Sequence, residues 1–306
     1  MKRGHDRTRW IHLIVLLAAG WLLGACAEDP ARPAPIRIGS KQFTEQIILG
    51  EMYALLLEDA GYPVERKLNM GIGPVLHQAL LDDQLDLYPE YTGTGLQQIL
   101  DMPSANNPGQ VYATVAATYQ ERFNLVWLDP APLNNTFALA MTQELADRYG
   151  VATISQLAAN ASGLTMIGPL DFDARPDGLR GLQEVYGDLR LQRYISVDST
   201  IRYKGLIDGQ ADLVVAYATD GEINAYNLRV LEDDRGFFPP YNLAPIIRQQ
   251  VLDASPEIAG ILNRLAPHLT NEAMQRLNYE ASRKNRAPAE VAREFLVAEG
   301  LIKGGQ

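Results

Sequence analysis

Ile36-Arg37-Ile38-Gly39-Ser40-Lys41-Gln42-Phe43-Thr44-Glu45 is the stretch on which the fold turns. Its first four residues alternate apolar and polar and close on glycine, which reads as a short strand, and the residues that follow open a helix. Thr44 or Ser40 is placed to cap that helix, while Ile47, Ile48, Tyr53, Ala54, Leu55 and Leu57 supply its apolar face. Gly61-Tyr62-Pro63 stops it. Residues 64–68 then read as a strand, 75–81 as a short helix and 85–88 as a third strand. Strand, helix, strand, helix, strand at this spacing predicts parallel pairing through helical crossovers. A similar alternation recurs after Ala140, with a helix near 143–149, a strand at 164–167, a helix at 179–186 and a strand at 214–217. From about residue 255 to residue 301 the pattern is helical, with Pro256 and Pro288 where helices begin. Two α/β lobes and a helical tail are the expected result.

The chain has 306 residues, 27 basic against 37 acidic, a net charge of −10 and a single cysteine. That length suffices for two domains with a sizeable core. The acidic balance argues against a nucleic-acid partner, since neutralising phosphates requires a basic face. One cysteine excludes an intramolecular disulfide framework and a thiolate zinc site. Its position, Cys26, is informative. Lys2, Arg3, Arg7 and Arg9 form a basic start, residues 10–23 are largely apolar, and Leu23-Gly24-Ala25-Cys26 ends the run before the chain turns polar. The apolar run falls short of the roughly 20 residues of a spanning helix and has the layout of a signal peptide. Small residues before a cysteine resemble the lipobox of bacterial lipoproteins, in which the cysteine carries the lipid. An ordinary signal peptide, or an anchor with an incidental cysteine, is the alternative. The expectation is a lipoprotein signal peptide over 1–25, lipidation at Cys26 and an extended tether over 26–35. Cleavage would remove four basic residues and Asp6, moving the net charge to −13.

Catalytic readings find little support. His77 and His268 remain outside the signal segment and read as surface or packing residues. No Gly-x-Ser-x-Gly elbow, Walker-type loop or His-Glu-x-x-His pair is present. Asp82-Asp83 and Asp233-Asp234 read as solvated faces or turns. With no nucleophile beside a base, the chain is expected not to be an enzyme, and to use neither a cofactor nor a metal.

The 14 tyrosines say more, because several stand at turns beside Pro, Gly, Asn or Thr. Tyr88-Pro89-Glu90-Tyr91-Thr92-Gly93-Thr94-Gly95 ends a strand and opens a helix. Asn134-Asn135-Thr136-Phe137 precedes the strand Ala138-Leu139-Ala140. Tyr217-Ala218-Thr219-Asp220-Gly221 ends another, and Phe238-Pro239-Pro240-Tyr241-Asn242 lies in a loop. Open α/β sheets bind ligands at the carboxyl ends of their strands. Aromatic faces gathered there would suit a quaternary ammonium, which has no N–H to donate and is attracted by ring quadrupoles at roughly 0.5–2 kcal/mol per contact. Local packing is the other reading of turn aromatics.

These segments, with Gly39-Ser40-Lys41-Gln42-Phe43-Thr44-Glu45-Gln46 and Arg175-Pro176-Asp177-Gly178-Leu179, resemble the substrate-binding proteins of osmoprotectant ABC importers, from about Ile36 to Leu301. The resemblance implies a two-lobed periplasmic-binding-protein fold of type II-like topology, with the ligand in the cleft between lobes. Lobe 1 would hold residues 36–138 and 243–306, and lobe 2 residues 139–242. It implies a ligand such as glycine betaine, choline or carnitine, held in an aromatic cage carried over to Tyr91, Phe137, Tyr217 and Tyr241. Phe137 departs from the family's usual tyrosine, keeping the ring face but losing the hydroxyl, which bears on solute preference. Gln42 and Thr94 match positions that reach the ligand's polar end, with helix capping as the alternative. Arg175 either pairs with a ligand carboxylate or fixes its own loop to Asp173 or Asp177. The implied partners are permease and ATPase subunits on separate chains, with the protein a monomer, lipid-anchored and periplasmic or on the cell surface. A receptor of the same fold feeding a signalling partner is the alternative, as is another betaine such as ergothioneine.

Overall fold

In the computed structural model the described residues are 34–170, 172–173, 178–187, 189–197 and 201–304. Cys26, the segment 1–25 and Arg175 lie outside them, as does most of the tether. The architecture that follows is that of the unit Pro35–Gln306.

Among the described residues, ten strands form two sheets of five. The first contains β1 (Ile36–Gly39), β2 (Val64–Lys67), β3 (Leu87–Tyr91), β4 (Leu125–Trp127) and β10 (Leu243–Arg248), in the order β2-β1-β3-β10-β4. The second contains β5 (Phe137–Thr142), β6 (Thr165–Gly168), β7 (Arg193–Ser196), β8 (Leu213–Tyr217) and β9 (Leu228–Val230), in the order β7-β6-β8-β5-β9. The predicted parallel pairing is present in both: β1 runs parallel to β2 and β3, and β6 to β7 and β8. In each sheet a strand that has crossed from the other half, β10 or β5, then pairs antiparallel with its neighbours.

Several sequence expectations are corrected. The third strand begins two residues later and continues through Pro89 to Tyr91, wholly buried. Pro89 is tolerated because its partner across β10 is Pro245, whose carbonyl accepts from Leu128 N on the far side. That makes them a non-hydrogen-bonded pair, so the β3–β10 ladder asks neither proline for an N–H. The first helix is Thr44–Asp59, with Phe43 at its N-cap and no side-chain cap, so neither Thr44 nor Ser40 serves. Ser40 Oγ instead accepts from Asn69 N at 2.9 Å and donates to Lys41 O. The boundary expected at residue 138 falls inside β5, since Phe137 and Ala138 already pair with Tyr217 and Ala216 in the second sheet. The two crossings run through residues 128–136 and 231–242, and are bridged to each other at Asn134 and Asn242.

Helices cover both faces of the first sheet, as parallel strands require. Helix Thr44–Asp59 packs Ile48, Met52 and Leu55 against the tail helices Glu257–Asn263, Asn271–Ser282 and Pro288–Ala298. On the other face Leu76, Leu80, Val115 and Tyr119 cover Tyr88 and Trp127. His77 belongs to this layer, its ring edge-on to Tyr119 at 5.4 Å and to Phe123 at 4.7 Å, and burial lowers its pKa to about 4. A base depressed in the folded state binds fewer protons there than in the unfolded chain, so stability is lost as pH falls from about 6.5 towards 4. Up to about 3 kcal/mol should go in that window. Urea unfolding of the wild type and His77→Leu, compared across it, should show the smaller acid loss in the variant; equal losses would remove His77 from the acid response.

Candidate functional site

The aromatic residues singled out in the sequence stand where strands end. β3 finishes at Tyr91 and passes into the helical turn Thr92–Thr94. Tyr91 is buried; its hydroxyl donates to Glu45 Oε1 and accepts from Asn135 Nδ2 at 3.3 Å. Phe43 lies parallel to it with centroids 6.4 Å apart, and Lys41 Nζ stands 4.7 Å from the Tyr91 centroid. That ammonium is itself buried and ion-paired with Glu90, which also accepts from Tyr91 N at 2.6 Å. Tyr241 covers the same turn. A Cβ at Gly93 would come within 2.7 Å of the Tyr241 ring and 2.8 Å of Pro240 O, so only glycine lets this loop lie so close. Tyr241 OH accepts from Gln97 Nε2 at 3.2 Å, and its backbone is held on both sides by the first crossing, Tyr241 N by Asn134 Oδ1 and Tyr241 O by Asn135 N.

The second sheet supplies the other two rings. Phe137 and Tyr217 are register partners on β5 and β8, stacked at 5.0 Å and 22°. Phe137 also meets Phe172 edge-on at 5.2 Å, while Tyr217 stays 36% exposed. The turn after Tyr217 is closed by Asp220, whose carboxylate accepts from Tyr217 N at 2.8 Å and Tyr203 OH at 2.6 Å and is ion-paired with Arg202. The Arg202 guanidinium lies 5.5 Å from the Tyr217 centroid. Tyr91 thus stacks with Phe43 and Phe137 with Tyr217, and the crossing residues Asn134 and Asn135 tie the Tyr91 segment to Tyr241 and lead directly into Phe137.

Gln42 is exposed, with its backbone N–H on Gly71 O at 3.0 Å; Thr94 is buried, its methyl beside Gly73. Neither caps a helix, because the N-cap positions are Phe43 and Tyr91 and both lack a side-chain cap. Glu45, Asn135 and Asn278 were not singled out from sequence. Glu45 is 3% exposed and accepts from Tyr91, from Asn135 Nδ2 at 3.0 Å and from Asn278 Nδ2 at 2.8 Å. Burial pushes its carboxyl above the ordinary glutamate range, against hydrogen bonds from Tyr91, Thr219 and Asn278 that favour the ionised form. The signal for Glu45 was its place in the helix's apolar-facing first turn, and that of Asn278 a polar residue amid Ala273, Met274, Leu277 and Ala281. Among the described residues no group of three or more His, Cys, Asp or Glu is placed to hold a metal ion, and no helix is long and apolar enough to cross a membrane.

Residues 34–298 match the family model for the substrate-binding domain of ABC-type glycine betaine transport systems. The chain belongs to this family. A solved glycine betaine/carnitine/choline ABC transporter structure superposes with a TM-score of 0.83 at 30% identity, over 87% of this chain and 99% of that one. The glycine-betaine-binding protein of Pseudomonas aeruginosa is 35% identical over 299 residues, 92% of this chain and 94% of that protein. The ergothioneine transport permease/ergothioneine binding protein EgtU of Helicobacter pylori is 33% identical over 293 residues, 95% of this chain. This chain spans about half, 52%, of EgtU's length. The family fold is the α/β, periplasmic-binding-protein-like one expected, with its two mixed sheets.

Proposed function

We propose that the chain captures a quaternary ammonium solute, glycine betaine, choline or a similar betaine, and delivers it to an ABC permease whose membrane and ATPase subunits are separate chains. The observation that carries this reading is the placement of Tyr91, Phe137, Tyr217 and Tyr241 at the strand ends and crossings of two sheets, within a chain of this family. Each ring offers a face to a cation that cannot form hydrogen bonds, and several faces together give selectivity over a hydrated inorganic ion. The rings act as the cage, and Gln42 and Thr94 receive the ligand's polar end. One lobe is the first sheet with the tail helices, the other the second sheet, and ligand binding stabilises their closure by contacts made only in the closed form. The chain is held outside the cytoplasmic membrane by a lipid on Cys26 and works as a monomer, without catalysis. Phe137, which lacks the hydroxyl of the family's tyrosine, tunes preference among betaines.

Calorimetric titration with choline, glycine betaine, proline betaine, carnitine and ergothioneine tests the reading. Saturable one-to-one binding of at least one, with the solute recovered unchanged, is expected; ergothioneine is included because of EgtU. The absence of heat and of thermal stabilisation with all five would rule the function out.

A further inference from the structure

Among the described residues, the charged groups that touch the four ring segments pair off, with one exception. Lys41 is ion-paired with Glu90, and Arg202 with Asp220. Glu45 has only hydrogen-bond donors: among the described residues no cation lies within ion-pair distance of it, although the carboxyl is 3% exposed. Buried carboxylates ordinarily have a cationic partner, because desolvation makes an isolated charge expensive.

Glu45 is also where the ring-bearing segments meet. It binds the Tyr91 hydroxyl directly. Asn135, two residues before Phe137, donates to both Glu45 and Tyr91 and gives its backbone N–H to Tyr241 O. Asn278 donates to Glu45 Oε2 and to Thr219 O, in the turn that follows Tyr217. One side chain therefore reaches the segments of all four rings, across both sheets and the helix Asn271–Ser282.

We propose that Glu45 is the resident counter-charge of the site, a positioning residue that holds the four rings in register and takes the ligand's ammonium as the cationic partner it otherwise lacks. The proposal rests on the reading of the rings as a quaternary ammonium cage. A cation against the Tyr91 face would stand about 7 Å from the carboxylate that holds that ring's hydroxyl. At an effective dielectric of about 20, attraction over this distance is worth a factor of more than about ten in affinity. The groups facing Glu45 are Tyr91 from β3, Asn135 from the crossing, Asn278 from the tail helix, and Thr219 and Asp220 from the turn. Asp220 is negative and opposes ionisation, and the Lys41 ammonium over the Tyr91 ring is ion-paired with Glu90, not with Glu45. Burial raises the carboxyl above the ordinary glutamate range, so the bound ammonium expels to solvent whatever proton the ligand-free site holds, and affinity rises with pH as the carboxyl ionises.

Choline carries a net positive charge whereas glycine betaine has a carboxylate that Glu45 repels, so choline should depend on Glu45 more strongly. Titrations with both, in buffers of different protonation enthalpy from about pH 5 to about pH 8, give affinity and the protons released. The expected result is release by the wild type, none by Glu45→Gln, and a loss of about tenfold or more in choline affinity that exceeds the loss for glycine betaine. Wild-type binding without proton release anywhere in the range overturns the proposal, and needs no variant. So does a folded Glu45→Gln protein, by circular dichroism, that binds choline as the wild type does. Absence of binding by the wild type to either solute or to any of the panel sinks the cage reading itself, together with this inference, which separates the two failures.

Discussion

Tyr217→Ala is expected to weaken binding of the preferred quaternary ammonium by roughly 1–3 kcal/mol, about 5- to 150-fold, while leaving the fold intact. Tyr217 is the ring best suited to this experiment because it is 36% exposed, whereas Tyr91 is buried and bonded through its hydroxyl to Glu45 and Asn135. Truncating Tyr91 would mix lost affinity with a buried carboxyl left short of a donor. Truncating Tyr217 removes a ring that stacks on Phe137 at 5.0 Å and faces the Arg202 guanidinium. The turn behind it survives, since Asp220 holds the backbone N–H of residue 217 and not the phenol. Titration calorimetry beside a melting curve separates the two quantities. An unchanged affinity in a folded variant would remove Tyr217 from the site.

The second large effect is at Gly221. A Cβ there would meet Tyr279 N at 2.6 Å, Tyr279 Cα at 2.8 Å and the Asn278 carbonyl carbon at 3.1 Å, all backbone atoms of one helix. Backbone packed in a core does not yield as a side-chain tip does, so Gly221→Ala should cost about 1–3 kcal/mol or more of stability. It should also cost affinity. Pushing the short helix Gly221–Ala225 off the tail helix strains the bonds that fix the turn after Tyr217, namely Asn278 Nδ2 to Thr219 O and Gln275 Nε2 to Ala218 O, both 2.8 Å. The Arg283–Glu222 ion pair joins the same two helices. Denaturant unfolding and solute titration on one preparation measure both. If neither changes, the close approach is not a constraint on this protein.

Much of this protein was legible before any coordinates. The alternation of strand and helix placed Ile36–Gly39, Gln143–Tyr149 and Leu179–Tyr186 correctly, and parallel pairing followed from connections long enough to hold a helix. Antiparallel β10 was not legible, because Leu243-Ala244-Pro245-Ile246-Ile247 carries a proline that argues against a central strand. It stands opposite Pro89 in a non-hydrogen-bonded pair, a register that only the assembled sheet reveals. Capping was misread for a similar reason: Ser40 has the right chemistry for a cap, but the strand end points its hydroxyl at Asn69.

At the site the division is sharper. Local sequence determined that aromatic rings fall at strand ends, since Tyr beside Pro, Gly and Asn marks where strands stop, and motif order determined the family. Which rings meet is a tertiary matter: Phe137 and Tyr217 are 80 residues apart and come together only through antiparallel register. Glu45 shows the same limit. Its helical position puts a carboxylate in line with Ile48 and Leu49 on the apolar face, but says nothing of what surrounds it there. Its burial, its lack of a cationic partner among the described residues and its reach to four segments depend on Tyr91, Asn135 and Asn278 arriving from three other parts of the chain. Periodicity reports the face a residue turns inward, but the energy of a buried charge depends on what surrounds it, and those neighbours are chosen by the packing of the whole fold.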